Sequence, residues 1–148
     1  MKIDVNGQPA FCYSNVRELD RSRVSILFLH GAGMDHTVWT MPARHFARQG
    51  RNVLAIDLPG HGRSAGDPLT SVEAISDWLA ALIDALELER VAVAGHSLGS
   101  LVALDFAARQ PQRTRAVALV GTAVPMPVSD AILDAARAND HAAFDMLT

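Results

Sequence analysis

The sequence predicts an α/β fold, a mostly parallel twisted sheet with flanking helices. Three observations carry that expectation. Nearly continuous apolar runs recur at residues 24–29, 52–58, 91–94 and 116–120, as in strands buried on both faces. Segments with apolar residues at helical spacing separate them. Each run ends in a glycine-bearing turn, after Leu29, Leu58, Ala94 and Val120.

Taken in order, Lys2–Val5 and residues 10–14 read as two strands joined by a turn at Asn6-Gly7. Residues 16–23 form a polar connection. The strand at 24–29 opens into His30-Gly31-Ala32-Gly33. Residues 37–49 read as a helix: Thr40 caps its main part, Pro42 fits the first turn and Gly50 stops it. The strand at 52–58 runs into Pro59-Gly60-His61-Gly62-Arg63-Ser64. Thr70 and Glu73 then make a capping-box pattern. Val72, Ile75, Leu79, Leu82 and Leu86 give residues 72–88 one apolar face. Pro111 ends the helix that follows the run at 91–94. Beyond Val124-Pro125-Met126-Pro127-Val128 the texture changes. Ser129-Asp130 caps a short helix at 131–138, Asn139-Asp140 breaks it, and 141–148 starts another.

Composition narrows the function. A chain of 148 residues suffices for one domain with a sizeable core, and 49% hydrophobic against 20% charged residues is a globular balance. A net charge of −3 disfavours nucleic acid or an anionic membrane as partner. The basic cluster from Arg109 to Arg115 is short and mixed with Gln and Pro, as in a solvated loop. Cys12 is the only cysteine, so neither an internal disulfide nor a cysteine metal site can form, and packing is its expected role. The N-terminus lacks the apolar core of a signal peptide, and no run approaches a membrane span. The expected compartment is the reducing cytoplasm.

The chemistry concentrates in Val91-Ala92-Val93-Ala94-Gly95-His96-Ser97-Leu98-Gly99-Ser100-Leu101. A strand-like run turns abruptly and continues as the helix-compatible Leu98–Arg109, with Ser97 at the apex. The spacing is Gly-x-Ser-x-Gly, which an ordinary glycine-rich turn also produces. Between a strand and a helix it reads as a nucleophile elbow. Side chains at Gly95 and Gly99 would collide where strand and helix nearly touch. The helix N-terminus offers free N–H groups and partial positive charge to a developing oxyanion.

Three features in order, His30-Gly31-Ala32-Gly33, Asp57-Leu58-Pro59-Gly60-His61-Gly62-Arg63-Ser64 and Gly95-His96-Ser97-Leu98-Gly99, closely resemble the α/β-hydrolase superfamily. Within it the chain is most similar to small cofactor-free bacterial esterases, lactonases and C–C bond hydrolases with a helical cap. The resemblance implies a core over residues 1–124 and the beginning of a cap over 125–148. It implies Ser97 as nucleophile and the backbone N–H groups of Ala32 and Leu98 as oxyanion donors. His30, Gly31, His96 and Met126 fall at the substrate pocket, the two histidines shaping it without acting as base. No cofactor or metal is implied, and the partner is a small-molecule substrate. Asp57 and His61 precede Ser97, against the family order Ser, acid, His. Asp57 is expected to bind amides of its own loop, with His61 and Arg63 tying that loop down.

The chain also departs from the family pattern. After the cap, relatives carry further strand–helix units that deliver the acid and the histidine. Here Gly121-Thr122-Ala123-Val124 offers no carboxylate, and the histidine after Ser97 is His141, near Asp130, Asp134, Asp140 and Asp145. Adjacent residues such as Asp140 and His141 do not face each other on a helix. The expectation is a hydrolase fold cut after its sixth strand and the start of its cap. Complete, it would hydrolyse an ester, lactone or related carbonyl compound through an acyl-enzyme on Ser97. The alternative is a catalytically incompetent domain that binds a small molecule or pairs with another chain. A dinucleotide-binding reading is weaker, because His30-Gly31-Ala32-Gly33 lacks the third glycine of that fingerprint. The uncharged run at 116–120 is expected to form a sheet edge open to self-association.

Overall fold

The computed structural model describes residues 1–146. Strands β1 (Lys2–Val5), β2 (Gln8–Ser14), β3 (Ser25–Leu29), β4 (Asn52–Ile56), β5 (Val91–His96) and β6 (Thr114–Val120) form one sheet. Their order is β1-β2-β4-β3-β5-β6. The β3–β4, β3–β5 and β5–β6 ladders are parallel, while β1–β2 and β2–β4 are antiparallel. The helices are α1 (Thr40–Arg48), α2 (Val72–Ala85), α3 (Leu98–Arg109), α4 (Asp130–Arg137) and α5 (Ala142–Asp145). The α/β class and the mostly parallel sheet match the expectation. The part of the expected last helix beyond residue 146 lies outside the described residues.

Alternation along the central strands explains why their apolar runs are continuous. Leu27 and Leu29 of β3 face Ile75, Leu79, Leu82 and Ile83 of α2 and Val102, Ala103 and Phe106 of α3. Ile26 and Phe28 point to the other face, with Val53, Ala55, Ala94, Trp39 and Ala43. Both faces therefore need apolar side chains, and each fully buried Leu, Ile or Phe contributes about 1.5–3 kcal/mol. Cys12 is completely buried, and desolvation pushes its thiol up to about 12. That makes it inert packing at neutral pH, as its neighbours suggested.

Two expected caps are displaced by a residue or more. Asp35, not Thr40, starts the first helical segment. Its carboxylate accepts from the Thr37 amide at 2.8 Å and caps a 3-10 turn, His36–Trp39, that leads into α1. Thr40 instead donates its hydroxyl to the Thr37 carbonyl at 2.8 Å. Ser71, not Thr70, caps α2, accepting from the Ala74 amide at 3.1 Å. Ser71 is extended (φ −143°, ψ 157°), which aims its oxygen at the open amides. Helix α2 also stops at Ala85, before the expected residue 88, where Glu87 takes φ 53° and turns the chain into β5.

Strand β6 stands at the sheet edge. Val117, Leu119 and Val120 are 37%, 43% and 47% exposed, so apolar side chains flank an outer edge with no partner strand among the described residues. Such an edge is a template for another chain. We expect concentration-dependent self-association in light scattering, weakened by Leu119→Lys. A monomer at all concentrations that binds no hydrophobic dye would contradict it. Among the described residues, no helix is long and apolar enough to cross a membrane.

Candidate active site

Parallel register brings the candidate residues together. Leu29 of β3 lies opposite Gly95 of β5 and opposite Ile56 of β4. The loops that follow, bearing Ala32, Ser97 and Asp57, therefore leave the sheet at one end.

Ser97 sits between β5 and α3 with φ 51° and ψ −117°. For a non-glycine residue this conformation costs about 1–3 kcal/mol, so its surroundings must impose it. They do so on both sides. The Ser97 amide donates to the Val120 carbonyl at 2.9 Å, and its carbonyl accepts from the Ser100 amide at 2.9 Å and hydroxyl at 2.5 Å. The flanking glycines let strand and helix touch. A Cβ on Gly95 would land on the Gly99 carbonyl, and one on Gly99 on the carbonyls of Leu29 and His30.

The serine hydroxyl is left available. It makes no cap bond to α3, and among the described residues its partner is Met126 Sδ at 4.0 Å. The Leu98 amide opens the helix, where no carbonyl stands one turn back to receive it. Among the described residues, the Ala32 amide makes no hydrogen bond either. Gly31 lies between these groups. A Cβ there would be 3.1 Å from His96 Nδ1, 3.3 Å from Ser97 Cβ and 3.4 Å from Met34 Sδ. The proposed nucleophile, oxyanion donors, Gly31, His96 and Met126 thus cluster at one strand end.

His30 is placed differently from the pocket position expected of it. It is fully buried under its loop, with Nδ1 2.7 Å from the Gly31 carbonyl and Nε2 accepting from the Leu58 amide at 3.1 Å. Accepting at Nε2 requires the neutral ring, protonated on Nδ1. Burial, the largest cause, lowers its pKa below the usual 6.5, outweighing the hydrogen bond to Gly31. The folded chain therefore takes up this proton less readily than the unfolded chain. The stabilisation is present above about pH 6.5 and is lost as pH falls through the depressed folded value. Urea midpoints should decline over that range, and His30→Gln should flatten the decline. An unchanged profile in the variant would contradict this.

Asp57 ties the loops. Its buried carboxylate accepts from the Arg63 amide at 2.9 Å, as expected of its own loop. It also accepts from the His36 amide at 2.7 Å and meets His36 Nδ1 at 2.8 Å. His36, held against the rings of Phe11 and Tyr13, escaped the sequence reading because nothing local links it to a residue 21 positions on. His61 Nδ1 lies 2.9 Å from the Pro59 carbonyl, and the Arg63 guanidinium sits 5.0 Å above the Phe11 ring. Asp35, His36 and Asp57 have donor atoms within 4.8 Å of one another, the one such group among the described residues. Their oxygens already serve Thr37, His36 and Arg63, so the group is accounted for as a loop tie.

Known proteins agree with this architecture. Residues 24–147 match the family described as alpha/beta hydrolase fold. The chain is 36% identical over 103 residues to the dihydrolipoyllysine-residue acetyltransferase component of the acetoin cleaving system of Pseudomonas putida, covering 66% of this chain and 26% of that protein. It is 37% identical over 97 residues to the pimeloyl-(acyl-carrier protein) methyl ester esterase of Chromobacterium violaceum, covering 66% and 36%. A solved N-acyl homoserine lactone degrading enzyme superposes with a TM-score of 0.74 at 26% identity, covering 93% of this chain and 52% of that one. The chain thus spans about a quarter to a third of these two curated relatives. With a match reaching from β3 to the last described helix, the chain belongs to the α/β-hydrolase fold family.

Proposed function

We propose that Ser97 is the nucleophile of a hydrolase acting on an ester, lactone or related carbonyl substrate. One observation carries the reading. A serine is held in a left-handed backbone at a helix N-terminus, and its hydroxyl is spared from capping that helix. Ser97 Oγ would add to the substrate carbonyl while a base takes its proton. The tetrahedral oxyanion would face the Leu98 and Ala32 amides. Collapse would expel the leaving group with a proton and leave an acyl ester on Ser97, which water then hydrolyses. The names of the relatives (an acetyltransferase component, a methyl ester esterase, a lactone-degrading enzyme) all concern acyl groups.

The base and its acid partner are part of the proposal. The partner shown for the Ser97 hydroxyl is Met126 Sδ at 4.0 Å, so the reading names no residue for either role. Without them, some rate survives from oxyanion stabilisation alone. The buried free thiol of Cys12 suits the cytoplasm as compartment.

A p-nitrophenyl acetate assay tests this reading. The good leaving group makes acylation easier than deacylation, so the chain should release at most one equivalent of nitrophenolate and then turn over very slowly. Steady turnover that is indifferent to Ser97→Ala would overturn it. A second reading, a binding domain without turnover, is favoured by a Ser97 hydroxyl whose partner is Met126 Sδ, and would give saturable binding with no release at all.

A further inference from the structure

We infer that the substrate carries an uncharged apolar arm lying in a groove walled by Met34, Val38, Trp39, His96 and Val120. The inference rests on Ser97 being the nucleophile.

The groove borders the hydroxyl. The space above Gly31 is shared by Met34 Sδ, His96 Nδ1 and Ser97 Cβ, so groove walls and nucleophile adjoin. Met126 Sδ, 4.0 Å from Ser97 Oγ, borders the serine as well. Val120 joins groove and elbow directly, because its carbonyl receives the Ser97 amide. An arm attached to a carbonyl at Ser97 thus has the groove within reach.

The walls decide its chemistry. None of the five carries a fixed charge, and His96 is the one titratable group. A carboxylate or ammonium placed there would lose part of its hydration against four apolar side chains, with the His96 ring as the one polar side chain beside them that titrates. Trp39 is only 8% exposed and packs on Phe28 with ring centroids 4.9 Å apart, so it is a firm, mostly apolar wall whose buried indole N–H has no partner among the described residues. Met34 and Met126 are flexible and polarisable, which accommodates varied shapes. The groove should therefore select on polarity and length more than on branching. Its volume is about 270 Å³. Benzene occupies an apolar cavity of about 150 Å³, so the groove has room for an arm of several carbons. The same chemistry fits an arm on the acyl side or on the alcohol side of an ester.

Uncleaved amides separate these cases. Trp39 and Trp78 are the two tryptophans, so Trp78→Phe leaves Trp39 as the fluorescent reporter. Alkanamides extend the acyl arm and N-alkylacetamides the other. In one series, affinity should rise roughly threefold to fourfold per methylene until the arm outgrows the groove. The series that rises identifies the arm. The same chain ended by a carboxylate should bind at least about tenfold more weakly. Val38→Asp, at a position 47% exposed where folding tolerates a charge, should weaken octanamide by at least about tenfold. Calorimetry on the unsubstituted chain repeats the length series and guards against an effect of Trp78→Phe. Flat affinities in both series, equal binding of the carboxylate, or indifference to Val38→Asp would each overturn the inference. Ser97→Ala should leave the length dependence intact. Length-dependent binding without acyl transfer would therefore count against the nucleophile alone, and acyl transfer without length dependence against the groove alone.

Discussion

Replacing Ser97 by alanine should abolish acyl transfer. Where a base and an acid serve Ser97, the expected loss in kcat is roughly 10⁶-fold, the scale seen when a triad serine is removed. In the present chain the nitrophenolate burst should vanish. The fold should survive, because what fixes the elbow is main-chain. The Ser97 amide bonds Val120, and its carbonyl bonds Ser100. Circular dichroism and urea midpoints should shift little, with any change reflecting alanine's own reluctance at φ 51°. Near-normal hydrolysis by a folded Ser97→Ala chain would contradict the assignment.

Gly99→Ala should cost about 3 kcal/mol or more, although it adds a single methyl group. The methyl would fall on the carbonyls of Leu29 and His30, which are backbone atoms of the central strand and cannot rotate away. Helix α3 would have to lift from β3, carrying the Leu98 amide off its position, so acylation should fall together with stability. Gly7→Ala is the control. Gly7 takes φ 81° with nothing within 4 Å of its would-be Cβ, so only conformational strain remains, about 1–2 kcal/mol. Urea unfolding of both variants measures the difference. Equal midpoint shifts would show that close approach is not what Gly99 serves.

The fold was legible where physics acts locally or by period. Strands buried on both faces write continuous apolar runs, and β3, β4 and β5 stand within a residue or two of the expected places. The elbow was legible because its spacing follows from contact. Gly95 and Gly99 are small for the reason the motif implies, since Gly99 meets β3 and Gly95 meets Gly99. The caps slipped because Thr70 and Ser71 are both competent, and only backbone direction chooses between them. The Asp57–His36 contact was not legible, since it arises from how two loops meet above the sheet. Nor was the burial of His30. A histidine before Gly-Ala-Gly reads equally as rim or foundation, and only the positions of Leu58 and Gly31 decide it.

The central claim is that Ser97 accepts the acyl group, and peptide mapping tests it most directly. The chain is incubated with p-nitrophenyl acetate, quenched and digested, and the acetyl group is located by mass spectrometry. One acetyl group on Ser97, absent from the neighbouring Ser100 and from the Ser97→Ala chain, is the predicted result. Acetylation spread over surface amines, or an unmodified Ser97 after complete reaction of the ester, would contradict the claim.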